Sequence, residues 1–131
     1  MKALLVVVLA LAVVPAAHGK GCARIETTSP LIAGKRATIT LTTLMPTYGP
    51  DGSLRATEPY VDGIVAMSLY VKPRFGLPVL LPLARNPRNR SEWRARFRFW
   101  RAGTWTLTST ATPPGLPSGC AGAKRVFVRP S

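Results

Sequence analysis

The stretch Glu92-Trp93-Arg94-Ala95-Arg96-Phe97-Arg98-Phe99-Trp100-Arg101-Ala102-Gly103-Thr104-Trp105-Thr106-Leu107-Thr108-Ser109-Thr110-Ala111 decides the fold. Trp93, Ala95, Phe97 and Phe99 alternate with Arg94, Arg96 and Arg98. After Arg101-Ala102-Gly103, Trp105, Leu107 and Ser109 alternate with Thr104, Thr106, Thr108 and Thr110. Successive side chains of a strand point to opposite faces, so a period of two gives each strand one apolar and one polar face. Aromatic residues and threonine suit a pleated, half-buried surface. Gly103 accepts the positive φ that a tight connection needs. The pattern therefore predicts an antiparallel hairpin. It buries Trp93, Phe97, Phe99, Trp105 and Leu107 and shows arginine and threonine to water.

Working outward, the same alternation recurs. Arg36 to Thr43 reads as a strand with Ala37, Ile39 and Leu41 inward and Thr38, Thr40 and Thr42 outward. Arg24 to Thr28 reads as a short first strand, ended by Ser29-Pro30 because proline lacks a donor. Ile64 to Val71 offers Val65, Met67, Leu69 and Val71 to the core, and Lys124 to Arg129 offers Val126 and Val128. Leu77 to Leu83 contains Pro78 and Pro82, which suits an edge. Met45 to Asp62 is rich in Pro, Gly and Asp and reads as a long loop, and Arg85 to Arg90 as a basic turn. The expectation is an all-β chain: an immunoglobulin-like antiparallel β-sandwich of six or seven strands.

The N-terminus points to a compartment. Met1-Lys2 is positive, Ala3 to Val14 is an unbroken apolar run, and Pro15-Ala16-Ala17-His18-Gly19 is a stretch of small residues. This is the layout of a signal peptide, and the run is shorter than the roughly 20 residues of a membrane span. The expected organisation is a signal-peptide helix over residues 1–19 and a β-sandwich domain over 20–131, exported to the cell envelope or secreted. No membrane span is expected in the mature chain. Cleavage after Gly19 would begin that chain at Lys20, and cleavage after Ala17 would begin it at His18. Cys22 and Cys120 are the two cysteines, and an even count in an exported chain predicts one disulfide between them.

Charge narrows the function classes. Eighteen basic residues against five acidic ones give +13, and arginine outnumbers lysine 13 to 5. Such an excess favours anionic partners. Arg94, Arg96, Arg98 and Arg101 are expected on one outer face as an anion-binding stripe, since the planar guanidinium suits phosphate and carboxylate. The expected partner is an anionic envelope surface or a protein; nucleic acid is not among the partners expected of an exported chain. Acid–base catalysis needs positioned titratable groups. Glu26, Asp51, Glu58, Asp62, Glu92 and the lone His18 form no spaced constellation, so no catalytic residue, cofactor site or metal site is predicted.

Ser29-Pro30-Leu31-Ile32-Ala33-Gly34 and the strand after it, with Glu92 to Phe97 and Phe99-Trp100-Arg101-Ala102-Gly103-Thr104-Trp105-Thr106-Leu107, give the chain a further likeness. It resembles the exported bacterial immunoglobulin-like domains of the YtkA-like type, relatives of the FixH-like and copper-resistance sandwich domains. The resemblance implies a small envelope β-sandwich, of a kind sometimes linked to metal or membrane-complex biogenesis; the expected function is a non-enzymatic binding module. The copper-binding relatives use an N-terminal histidine with later His and Asp ligands. The alternative function is therefore a periplasmic copper-handling domain, in which His18 would be the first residue and no later histidine exists.

Overall fold

The computed structural model describes residues 22–59, 64–112 and 123–131. Nine strands and no helix make up these residues, so none of them forms a helix able to cross a membrane. The leader over 1–19, both candidate cleavage points and Cys120 lie outside the described residues; for Cys22 only the backbone is described.

The strands are β1 (Cys22–Thr27), β2 (Arg36–Tyr48), β3 (Leu54–Pro59), β4 (Ala66–Pro73), β5 (Val79–Pro82), β6 (Ala84–Asn86), β7 (Asn89–Arg98), β8 (Gly103–Thr112) and β9 (Ala123–Val128). One antiparallel sheet runs β1-β2-β7-β6, with β3 added to β2; the other runs β5-β4-β8-β9. Set beside the immunoglobulin lettering, these orders are A-B-E-D and C′-C-F-G, with β3 an insertion. Leu31 to Ala33 then passes to the second sheet. Ile32 pairs parallel to Arg129, Arg129 donates its amide to the Leu31 carbonyl at 2.8 Å, and Ala33 donates to the Arg129 carbonyl at 2.8 Å. Residues 22–33 thus run along one edge of each sheet.

The alternation read from the sequence sorts inside from outside. Ala37, Ile39 and Leu41 on β2, Met67, Leu69 and Val71 on β4, Trp93 on β7, Trp105 and Leu107 on β8, and Val126 and Val128 on β9 form one buried core. The strand partners differ from expectation. β7 pairs with β2 and β6, whereas β8 pairs with β4 and β9, so the two halves of the opening stretch are no hairpin. They belong to opposite sheets and face each other across the core. Residues 99–102 carry the chain between them.

That crossing is held by aromatic packing. Phe99 is wholly buried, and its carbonyl accepts from the Gly34 amide at 2.8 Å. The Trp105 indole donates to the Arg101 carbonyl at 2.8 Å. Phe99 and Trp100 meet Trp105 edge-on at centroid distances of 5.1 and 4.7 Å. Such contacts contribute about 0.5–1.5 kcal/mol each beyond area burial. Gly103 does take a positive φ of 116°, but at the landing of a crossover. Phe97 is half-buried at the margin of this cluster, not a core residue like Trp105.

Three further expectations are corrected. Val65 is 75% exposed, because β4 starts at Ala66 and the chain before it is not in phase with the strand. The span read as a loop from Met45 is largely a second hairpin: β2 runs on to Tyr48 and pairs with β3. Its turn is closed by the Gly49 amide donating to the Ser53 carbonyl at 2.8 Å. The Asp51 carboxylate accepts from the Ser53 hydroxyl at 2.6 Å and the Ser53 amide at 3.1 Å, and these bonds hold its pKa below the usual carboxylate value. The basic turn holds a short hairpin too, β6 returning into β7 through Pro87-Arg88. The described residues hold nine strands where six or seven were expected.

Candidate anion-binding face

On β7 the even-numbered side chains point away from the core. Arg94, Arg96 and Arg98 are all exposed, in register with Thr40, Thr38 and Arg36 of β2. On the far side of β2, Arg24 and Glu26 of β1 lie opposite Thr42 and Thr40. The paired outer face therefore carries five arginines against two glutamates.

The two carboxylates are already engaged. Glu92 is mostly covered, with 18% of its side chain exposed, and accepts from Arg94 at 2.6 Å and from the Asn86 amide nitrogen at 3.1 Å. Glu26 meets Arg24 at 3.1 Å in an exposed pair, which contributes little in water. No ion pair engages Arg36, Arg96 or Arg98 among the described residues. Arg36 and Arg98 are direct cross-strand partners, at about 4.5–5.5 Å between Cα atoms in an antiparallel ladder. Arg96 stands about 6.5–7 Å along β7 from Arg98. Like charges directly opposite each other are destabilising. A phosphate or carboxylate seated between these guanidinium groups would relieve that repulsion and take charge-assisted, two-pronged hydrogen bonds.

Sequence reasoning placed Arg94, Arg96 and Arg98 together, and they are together. It also placed Arg101 with them, which the structure does not. Arg101 lies in the crossover, where its guanidinium donates to the Phe75 carbonyl in the connection between β4 and β5. The break in alternation at Phe99-Trp100 was the available signal: two consecutive large aromatics cannot continue one strand face. Arg36 was the residue missed. It opens a strand whose outward positions are otherwise threonines, and only the strand register reveals its neighbour.

Arg85 also behaves differently from its basic neighbours. Its guanidinium stacks over the Trp93 ring at 4.3 Å and donates to the Ile64 carbonyl. It is a packing cation and adds nothing to the outer face. Among the described residues, no three His, Cys, Asp or Glu side chains come together as a metal site would require. Comparison of the chain with protein-family models and with curated proteins gives no match.

Proposed function

We propose that this chain is an exported, non-enzymatic binding domain of the YtkA-like immunoglobulin type, which holds an anionic surface of the cell envelope on the outer face of its first sheet. The observation that carries this reading is the Arg36–Arg98 cross-strand pair with Arg96 beside it, three arginines in mutual proximity and unmatched by a described carboxylate. The +13 charge of the chain and the signal-like leader support an anionic envelope partner over a neutral one. The strand order supports the immunoglobulin-type reading. Arg94 supplies charge at the rim while tied to Glu92.

The test is retention on an acidic envelope polymer at rising salt. An Arg36, Arg96, Arg98→Ser variant should elute at distinctly lower salt than an Arg88, Lys124, Arg125→Ser variant, which loses equal charge from exposed positions elsewhere. Its log K against log salt slope should also be shallower, since fewer counterions are exchanged. Equal losses in both variants would leave net charge as the whole explanation and remove the dedicated face.

A further inference from the structure

One end of the sandwich combines exposed apolar side chains with six exposed cations. The connections over 28–35, 74–78 and 99–102 meet there. The Arg74 amide donates to the Thr104 carbonyl at 2.9 Å, the Gly34 amide to the Phe99 carbonyl at 2.8 Å, and the Arg101 guanidinium to the Phe75 carbonyl. From this tied base project Phe75, Leu77 and Trp100, which are 74%, 85% and 50% exposed. Gly76 lies between the first two with φ at 158°, and a Cβ there would come within 2.8 Å of the Pro73 ring. The chain folds closely over Pro73 at this point. Trp100 rests edge-on against the buried Trp105 at 4.7 Å, so it is mounted on the core.

At the same strand ends stand Lys35, Arg36, Arg74, Arg98, Arg101 and Arg129, all exposed. The side-chain carboxylates of the described residues lie away from them. Glu26 is opposite Thr40, about 13 Å along β2 from Arg36 at about 3.3 Å per residue. On the same scale Glu92, opposite Thr42, is about 20 Å away and Glu58, opposite Met45, about 30 Å. Asp51 sits beyond the end of β2, farther still. The charge of the described residues is graded along the molecule, and its most basic end also exposes these three large apolar groups, as Tyr48 and Leu54 are exposed at the other end.

A soluble anion has use for the cations but none for exposed phenylalanine and leucine. A protein interface core is depleted of charge. An anionic bilayer offers both halves: headgroup phosphates for guanidinium and ammonium groups, and an apolar boundary for Phe, Leu and Trp, with tryptophan favoured at that depth. We propose that this end of the domain docks on an anionic lipid bilayer, with Phe75, Leu77 and Trp100 entering the headgroup–acyl boundary and the six cations of the same end meeting headgroup phosphates. The proposal rests on the reading that the partner is an anionic envelope surface, and names that surface as lipid.

Tryptophan fluorescence tests it directly. Of the three tryptophans, Trp93 and Trp105 are buried at 3% and 0% exposure, leaving Trp100 as the reporter. With phosphatidylglycerol vesicles, emission should move to shorter wavelength and be quenched by lipids brominated near the headgroup. Phosphatidylcholine vesicles should give neither change. Phe75→Ser with Leu77→Ser should weaken vesicle affinity at least about tenfold, on the scale for burying two large apolar side chains. Both positions are mostly exposed, so unchanged near-UV circular dichroism would confirm the fold. Residues 1–19 are common to every variant, so the difference between variants is the measure. If the Phe75→Ser, Leu77→Ser protein binds as tightly as the wild type and Trp100 stays unquenched, docking by this end is overturned. In that case, continued loss of binding in the Arg36, Arg96, Arg98→Ser variant would leave the sheet-face reading standing. Absence of vesicle binding with retention on acidic polymer would overturn the lipid proposal alone, and absence of both would overturn both.

Discussion

β7 and β8 are neighbours in sequence and carry the same alternation, yet they build opposite outer faces of the molecule. β7 shows Arg94, Arg96 and Arg98 to water; β8 shows Thr106, Thr108 and the partly covered Thr110. The second sheet is not free of charge. Lys72 and Arg125 flank Thr106 from either side, two strand spacings or about 9.6 Å apart, with no carboxylate of the described residues on that face. Net charge therefore separates the faces poorly. What separates them is arrangement: on the first sheet two arginines abut across neighbouring strands, while on the second a threonine strand keeps the cations apart. A binding face depends on how charges converge, and total charge does not report that.

The largest test asks whether the two faces are mounted on one core. Trp105 is wholly buried, meets Phe99 and Trp100 edge-on, and anchors the crossover through its indole N–H. Trp105→Ala should cost about 3–5 kcal/mol in denaturant unfolding. Both sheets should lose structure in a single transition. Two separate transitions would mean that the faces sit on independently stable layers.

That core was legible in the sequence, and the pairing was not. A period of two assigns the inner face of a strand whichever strand lies beside it. Trp93 and Trp105 point inward equally well in a hairpin or across a sandwich. The difference resides in the connection. A tight hairpin turn is exposed and polar, whereas here Phe99 and Trp100 occupy it, and apolar bulk at a turn marks a chain that dives between layers. The hairpin of β2 and β3 is hidden in the sequence for the opposite reason. Proline and glycine from Pro46 to Pro59 suggest a loop, although Asp51-Gly52 is a hairpin turn signal in itself. The candidate site divided likewise. Arg94, Arg96 and Arg98 share a strand, so their common face follows from local periodicity. Arg36 joins them only through strand register, a long-range property that no local pattern encodes.

A smaller effect sharpens the contrast from within the first face. Glu92 is the carboxylate that ties Arg94, and Asn86 braces it. Glu92→Gln keeps the shape and removes the charge. Stability should fall by about 1 kcal/mol, since a mostly covered, charge-assisted hydrogen bond becomes a neutral one. Anion binding should strengthen as Arg94 is released, with a steeper salt dependence. A variant that loses stability without gaining affinity would show that Arg94 lies outside the working part of the face.

The smallest effect probes the abutting pair itself. If Arg36 and Arg98 repel each other across the ladder, reversing one charge should stabilise the fold. Arg98→Glu places opposite charges at directly paired positions, which contributes about 0.2–1 kcal/mol. Both side chains are exposed, so the lower part of that range applies, and raising salt toward a Debye length of about 3 Å should remove most of the gain. Thr106→Glu is the matching change on the second face, where it would stand between Lys72 and Arg125. There the new carboxylate would gain one attraction with each of two cations, whereas Arg98→Glu turns repulsion into attraction at both Arg36 and Arg96, so the salt-sensitive gain should be smaller for Thr106→Glu than for Arg98→Glu. Unfolding midpoints of both variants at low and high salt decide the matter. A larger gain for Arg98→Glu, together with weaker retention on acidic polymer, means the native pair holds repulsion that an anion relieves. Equal gains would mean that the two faces differ in composition only, and the convergence of charge on the first sheet would carry no special affinity.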